Sequence, residues 1–186
     1  SLLGVYLTDM LSVENYYISL DDLEEKHLFD KNYIRTYPFI EDRAIVLKDD
    51  WMKSLINKEG EIILDNIVNS GWEFCDGLLP VITNTKSGFI NIEGEFVIEC
   101  PIVDEYKTRN PTLPCYFSDG LAYVHSSENE WIIIDKKGNE ITKVNYPSSS
   151  SIFSEGLLNV FQDGKCGYIN TKGELVIPLI FDDANK

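Results

Sequence analysis

Positive charge is scarce in this sequence. Its 186 residues include 16 Lys and Arg against 31 Asp and Glu, which gives a net charge of −15. Nucleic-acid binding needs a basic surface that displaces counterions from phosphates, and docking on anionic lipid needs one too. No run of 18 apolar residues is present, as a membrane-spanning helix would require. We therefore expect neither a nucleic acid nor a membrane as partner.

Residues that build metal and catalytic sites are also few. The only histidines are His27 and His125, and no Cys-x-x-Cys pair occurs, which argues against zinc. No phosphate-binding glycine loop, Gly-x-Ser-x-Gly motif or calcium loop is present. Carboxylates are abundant, so a hydrolase that uses two of them stays open as a remote alternative. We expect no enzyme activity, no cofactor and no metal.

The sequence gives little information about compartment. The opening SLLGVYLTDML has no basic start and no small-residue cleavage site, so it does not match a signal peptide. Free buried thiols are favoured over two disulfides, because cysteine packs as a small hydrophobe. The four cysteines are Cys75, Cys100, Cys115 and Cys166. Localisation, cytoplasmic or exported, is left open.

Enough apolar material is present for a core. Hydrophobic residues make up 44% of the chain and aromatic residues 12%, which excludes a disordered acidic tail. At about 150 residues per domain, the length predicts one domain or two small ones.

Four segments match one another position by position. They read FIEDRAIV, FCDGLLPV, FSDGLAYV and FSEGLLNV, and they begin at Phe39, Phe74, Phe117 and Phe153. Each has an acid at the third position and Val at the eighth, and three have Gly at the fourth. The starts are 35, 43 and 36 residues apart. Such self-similarity predicts tandem repeats, here called units one to four.

A second block follows each opening. The four copies read SLINKEGEII, GFINIEGEFV, IIIDKKGNEI and GYINTKGELV. Asn or Asp followed by Gly three residues later, between β-branched residues, predicts a hairpin with a type I turn and a bulge. The Asn or Asp side chain can bond its own turn. With the opening block as another strand, and Asp163-Gly164 as a two-residue hairpin in unit four, each unit becomes a three-stranded antiparallel meander.

One such meander cannot bury its own apolar face, so neighbouring units must stack. We expect an all-β fold in which residues 35–186 form a solenoid-like array of four units, with a propeller-like ring as the alternative. The opening Phe residues should be core. Residues 1–34 fit a degenerate repeat or capping segment, or a short helix that begins at Ser19. The end, PLIFDDANK, matches a linker that precedes another unit, which suggests an excerpt of a longer array or a missing cap.

Both blocks resemble the bacterial WG-repeat family. Its motif joins Phe-x-(Asp/Glu)-Gly-Leu-Ala-x-Val to Trp-Gly-(Tyr/Phe)-Ile-(Asp/Asn)-x-x-Gly, and the match covers roughly residues 35–186. The Trp-Gly pair is never intact. In chain order it is replaced by Lys53-Ser54, Ser87-Gly88, Trp131-Ile132 and Cys166-Gly167. The resemblance implies a repeat scaffold with a binding role and implies no reaction.

Candidate contact residues lie mainly in the linkers. Residues 100–116 form the longest linker, and loops carry function more often than the scaffold around them. Trp72 lies in another linker and is a better candidate for exposure than Trp131. A tolerated insertion is the simpler interpretation of the long linker. The partner-binding candidates are Trp72, Tyr106, Lys107, Arg109 and Tyr116.

Other polar residues have structural explanations. The third-position acids could bind a cation or a basic peptide, although turn hydrogen bonds explain them more simply. His125 could pair with Cys115 as a nucleophile, but a substituted strand position is simpler. Trp131 occupies a repeat position, which favours packing.

We predict a non-catalytic repeat scaffold that binds a protein or peptide. The first alternative is a cell-surface or envelope module that binds glycans through exposed rings of Trp51, Trp72 and Trp131. The second alternative is a carboxylate-dependent hydrolase.

Overall fold

The fold was examined in a computed structural model. It describes residues 2–9, 12–19, 26–27, 33–102, 116–127, 130–148 and 152–182. All regular structure in these ranges is β, and no helix among them could cross a membrane. The strands are β1 (Leu2–Asp9), β2 (Ser12–Ser19), β3 (Lys26–His27), β4 (Tyr33–Thr36), β5 (Arg43–Lys48), β6 (Lys53–Asn57), β7 (Ile62–Ser70), β8 (Leu79–Thr83), β9 (Ser87–Ile90), β10 (Phe96–Cys100), β11 (Leu121–Ser127), β12 (Glu130–Asp135), β13 (Glu140–Val144), β14 (Leu157–Gln162), β15 (Lys165–Asn170) and β16 (Leu175–Phe181).

The strands form antiparallel sheets in chain order. Units three and four are three-stranded sheets, β11-β12-β13 and β14-β15-β16, and β1-β2-β3 form another at the N-terminal end. These findings confirm the predicted all-β fold of antiparallel meanders. The helix expected to begin at Ser19 falls largely outside the described residues; Ser19 itself ends β2, and Lys26–His27 pair with that strand.

Units one and two differ from the prediction, because they share one seven-stranded sheet that runs from β4 to β10. The cause is β7, which closes unit one and then continues beside β8. Ile67 pairs with Lys53 on one side and with Thr83 on the other. The linker after unit one therefore belongs to the sheet rather than lying outside it. The segment before unit one also adds a strand, because β4 pairs with β5.

The opening block begins with a two-residue turn. The residues before and after the turn exchange two backbone hydrogen bonds of 2.8–3.1 Å in every unit. The third and fourth positions both have positive φ, which defines a type I′ hairpin turn and explains the acid-Gly pair. In unit one Asp42 takes the place of Gly with φ of 61°, a conformation that Asp tolerates better than most residues.

The second block forms the predicted turn with a bulge. Its Gly has φ between 76° and 82° in all four units. The Asn or Asp oxygen accepts backbone N–H groups two and four residues further on, at 2.8–3.1 Å. These residues are Asn57, Asn91, Asp135 and Asn170. The sequence prediction for this turn is confirmed.

Neighbouring units pack through equivalent positions. The first core cluster joins Ile45 and Leu55 of unit one to Phe74, Leu79, Val81 and Ile90 of unit two. The second joins Leu78, Phe89 and Ile98 of unit two to Phe117, Ala122, Val124 and Ile134 of unit three. The third joins Tyr123, Ile133 and Val144 of unit three to Phe153, Leu158, Val160 and Ile169 of unit four. The opening Phe residues of units two to four are buried, as predicted, and Phe39 is partly buried.

Trp51 occupies a turn position that glycine fills elsewhere in the chain. Its φ is 67° and its side chain is 74% exposed. The N–H of Trp51 donates to the carbonyl of Lys48, and the N–H of Lys48 donates to the carbonyl of Met52. Gly60 and Asn57 make the same pair of hydrogen bonds in the next turn. A side chain in the left-handed region costs about 1–2 kcal/mol.

Trp51→Gly is therefore expected to raise the free energy of unfolding by about 0.5–1 kcal/mol, because relief of backbone strain exceeds the added entropy of the unfolded chain. Urea denaturation measures this change. Trp51→Ala is the matched control, since it removes the ring but keeps the Cβ atom. Equal stability of the Gly and Ala variants would contradict the explanation by strain.

Candidate functional site

A cluster of three aromatic side chains and one lysine lies where units one and two meet. It consists of Tyr37, Lys53, Trp72 and Tyr116, and is called the Trp72 cluster below. Trp72 is 56% exposed and lies two residues after the end of β7. The N–H of Gly71 donates to the carbonyl of Pro80 at 2.9 Å, so the ladder of β7 and β8 holds the chain up to this point.

Three neighbours fix the position of Trp72. The ring of Tyr37 lies 4.8 Å from that of Trp72, centroid to centroid, at an interplanar angle of 50°. The Lys53 Nζ lies 4.9 Å from the centroid of the Trp72 ring, in a cation–π contact. The backbone N–H of Trp72 donates to the hydroxyl of Tyr116 at 2.7 Å. Trp72 is therefore exposed and at the same time held in place.

Tyr116 reaches Trp72 because Gly71 has no side chain. A Cβ atom on Gly71 would lie only 2.7 Å from the Tyr116 hydroxyl oxygen. Burial raises the pKa of Tyr116, and the hydrogen bond from Trp72 only partly opposes this rise. The phenol therefore stays protonated at neutral pH, and its O–H can donate to a further group.

Lys53 stands at the position where the repeat motif has Trp. Its Nζ contacts only neutral acceptors in the described part of the chain: Asn69 Oδ1 at 3.4 Å, Ser70 Oγ at 3.4 Å and Ser70 O at 3.5 Å. Burial lowers the pKa of Lys53. Lys48 on the neighbouring strand differs: it pairs with Asp65 at 2.8 Å, and that bond raises its pKa.

The structure brings together two of the five predicted contact residues. Trp72 and Tyr116 touch, whereas Tyr106, Lys107 and Arg109 lie outside the described residues. Sequence reasoning missed Tyr37 and Lys53. The replacement of the motif Trp by Lys53 was visible, but nothing in the sequence indicated that Trp72 would cover it. A binding role for all these residues stays a prediction.

The third-position acids are turn residues. Asp76 Oδ2 accepts the N–H of Gly120 at 2.8 Å, which links the turns of units two and three. In unit one Asp42 at the next position pairs with Lys58. Within the described ranges, no three His, Cys, Asp or Glu side chains are grouped so that they could hold a metal ion.

The other polar candidates are packed into the fold. His125 is buried and pairs with Trp131 across the sheet. Trp131 stacks on Tyr123 at 4.7 Å and 7°. Cys115, the imagined partner of His125, is outside the described residues. Cys75, Cys100 and Cys166 are free and partly buried, and burial raises the pKa of Cys100 to about 12, which keeps that thiol unreactive.

A depression of about 450 Å³ lies beside β7, lined by residues that include Asp65, Thr83, Lys86 and Phe96. Among the described residues that line it, Asp65 is the sole carboxylate. Burial would raise the pKa of Asp65, but hydrogen bonds from Lys48 and Ser54 outweigh it and hold that pKa below its usual range. This depression therefore does not supply the two differing carboxyls of a glycosidase.

Unit four also carries exposed apolar side chains. They lie on β14 and β16, and each is between 38% and 63% exposed. They are Phe161, Leu175, Val176, Ile180 and Phe181. Trp72 contacts a cation and an aromatic ring, whereas these side chains contact neither in the described part of the chain.

Comparison with known proteins finds a family model that matches part of the chain. The family model described as "WG containing repeat" matches residues 131–166 and 167–185, which are parts of units three and four. A search of curated proteins finds no significant match.

Solved structures resemble the chain only distantly. They include BamB from Moraxella catarrhalis (9% identity, TM-score 0.45, 93% of this chain and 56% of that one). They also include the WD40 β-propeller domain of Doa1, with 11% identity and a TM-score of 0.47 over 95% of this chain and 64% of that one. A third is KlHsv2 with loop 6CD replaced by a Gly-Ser linker. Its identity is 12% and its TM-score is 0.48, over 87% of this chain and 62% of that one. The chain thus spans less than two thirds of each of these proteins.

Proposed function

We propose, from the premise that residues 131–166 and 167–185 are WG containing repeats, that this chain is a non-catalytic scaffold that binds a protein or peptide through the Trp72 cluster. The observation that supports this most is that Trp72 is 56% exposed and yet fixed by three neighbours. Tryptophan and tyrosine are enriched among the residues that dominate binding energy.

The fixed position of Trp72 matters for affinity. A side chain that is ordered before binding loses little conformational entropy when a partner covers it. Its exposed ring offers a large apolar contact, and the Tyr116 hydroxyl at its edge offers a polar one. Such a combination suits the side chains of a peptide.

The glycan alternative is less well supported. Stacking on sugar needs exposed rings that lie in one plane, and Tyr37 and Trp72 are tilted by 50°. The near-parallel pair in the described part of the chain is Tyr123 and Trp131, and Tyr123 is only 1% exposed. The hydrolase alternative has no pair of carboxyls in the described depression. Neither observation adds a second candidate function.

Truncation of Trp72 tests the proposal. Peptides would be selected from a random phage-displayed library on the immobilised chain, then measured against Trp72→Ala and against the control Trp51→Ala. Loss of a dominant interface tryptophan costs about 2 kcal/mol or more, so we expect affinity for Trp72→Ala to fall about 30-fold or more. Trp51→Ala should bind as the parent chain does. Circular dichroism would verify that both variants are folded.

Two results would overturn the proposal. One is a selection in which no peptide is enriched. The other is a set of peptides that bind Trp72→Ala as tightly as the parent chain.

A further inference from the structure

Lys53 is an unusual cation for this chain. A partly buried ammonium group is normally paired with a carboxylate, because loss of hydration is costly without compensation. Carboxylates are plentiful, with 31 acids against 16 bases, yet none in the described residues lies at ion-pair distance from Lys53. Its three neutral contacts are 3.4–3.5 Å long, whereas charge-assisted hydrogen bonds are about 2.7–2.9 Å.

Other described lysines differ from Lys53 in one of two ways. Five have a carboxylate partner, and they are Lys48, Lys58, Lys86, Lys143 and Lys165. Three others lie in hairpin turns, where water can solvate them, and they are Lys136, Lys137 and Lys172. Among the lysines whose side chains the structure describes, Lys53 alone lies within a strand, partly buried and without a carboxylate partner.

We propose that Lys53 binds a side-chain carboxylate, Asp or Glu, of the peptide that covers Trp72. This inference rests on the proposed function and names the chemistry of the partner. The Trp72 ring lies 4.9 Å from Nζ, so a residue packed on this ring brings its neighbours within reach of the ammonium. A carboxylate there would supply the short charged bond that the present acceptors do not.

The site also supplies specificity. The acidic turns of the chain repel acidic segments in general, so an acidic residue is favoured only beside a cation that has no anionic partner. A hydrogen bond to a charged group in such a site is expected to change affinity about 10-fold or more. A peptide with a single acidic residue beside an apolar one matches this arrangement.

Charge reversal of Lys53 tests the inference. Peptides selected on the parent chain should share Asp or Glu at one position, and its replacement by Asn or Gln should weaken binding about 10-fold. The same replacement should change binding to Lys53→Gln by less than about 2-fold, since the charged partner is absent. Selection on Lys53→Glu should yield Lys or Arg at that position instead. Lys53→Arg keeps the charge and should keep the acidic preference.

Lys58→Gln is the matched control, because Lys58 is an exposed lysine that already pairs with Asp42. Peptides selected on Lys58→Gln should show the same preference for Asp or Glu as those selected on the parent chain. Peptides that require Trp72 but share no acidic residue would overturn this inference and leave the proposed function intact. An acidic preference that persists in Lys53→Gln would overturn it as well. Peptides that do not require Trp72 would overturn both.

Discussion

Gly88→Ala is expected to lower the free energy of unfolding by about 3 kcal/mol or more, which is in the range of severe single substitutions. An added Cβ atom would lie 2.0 Å from the carbonyl oxygen of Ile98 and 3.0 Å from the Cα of Glu99. Both are backbone atoms of β10, so no side-chain rotation can relieve the contact. The backbone φ of 150° adds strain of its own. Urea or thermal denaturation, followed by circular dichroism, measures the change.

Gly77→Ala is the matched control for this substitution. Gly77 also has a positive φ, 78°, but an added Cβ atom there meets no atom within 4 Å. Its cost should be about 1–2 kcal/mol, from backbone strain alone. If Gly88→Ala were no more destabilising than Gly77→Ala, the close approach of β9 and β10 would not be the reason for glycine at this position.

Phe117→Ala is expected to cost about 3–5 kcal/mol, as is usual for a buried Phe that leaves a cavity. Phe117 is 1% exposed, and its ring packs edge-on against Phe89 at 4.7 Å. The two rings belong to different units, so the cavity would open in the interface that joins unit two to unit three. Chemical denaturation gives the change in stability.

Phe161→Ala serves as the comparison, because this Phe is 38% exposed on β14 and loses less burial. It should cost about 1 kcal/mol or less. Similar losses for the two variants would show that the interface between units two and three is not a packed core.

Local features of the fold could be predicted from the sequence because their causes are local. The turn at Asn91 and Gly94 needs a side-chain acceptor and a residue that tolerates positive φ, and both requirements are visible in four residues. The meander and the burial of Phe117 follow from the same repetition. The acid-Gly pair is also typical of a type I′ turn, because both of its residues tolerate positive φ.

Features that depend on register could not be predicted. Gly88 and Gly167 allow the next strand to approach closely, and unit one has Ser54 instead. There the serine hydroxyl donates to the Asp65 carboxylate at 2.6 Å. Asn66 in β7 then takes a φ of 55°. The sequence shows the substitution but not this response, which depends on a residue eleven positions away.

The candidate site was predicted only in part for the same reason. The sequence singles out Trp72 and Tyr116 as separate contact residues, but it does not show that they meet. Their hydrogen bond joins residues 44 positions apart. Lys53 joins the cluster because β7 carries Ser70 past it and leads directly to Trp72. No periodic pattern encodes that arrangement, since it arises where units one and two share a sheet.

Amide hydrogen exchange tests the location of the proposed site most directly. Exchange would be followed by mass spectrometry for the chain alone and for the chain with a peptide selected on it. The proposal predicts slowed exchange in residues 69–72 and near Lys53, with little change on β14 and β16. Slowed exchange confined to the backbone amides of β14 and β16, with none near Trp72, would contradict it.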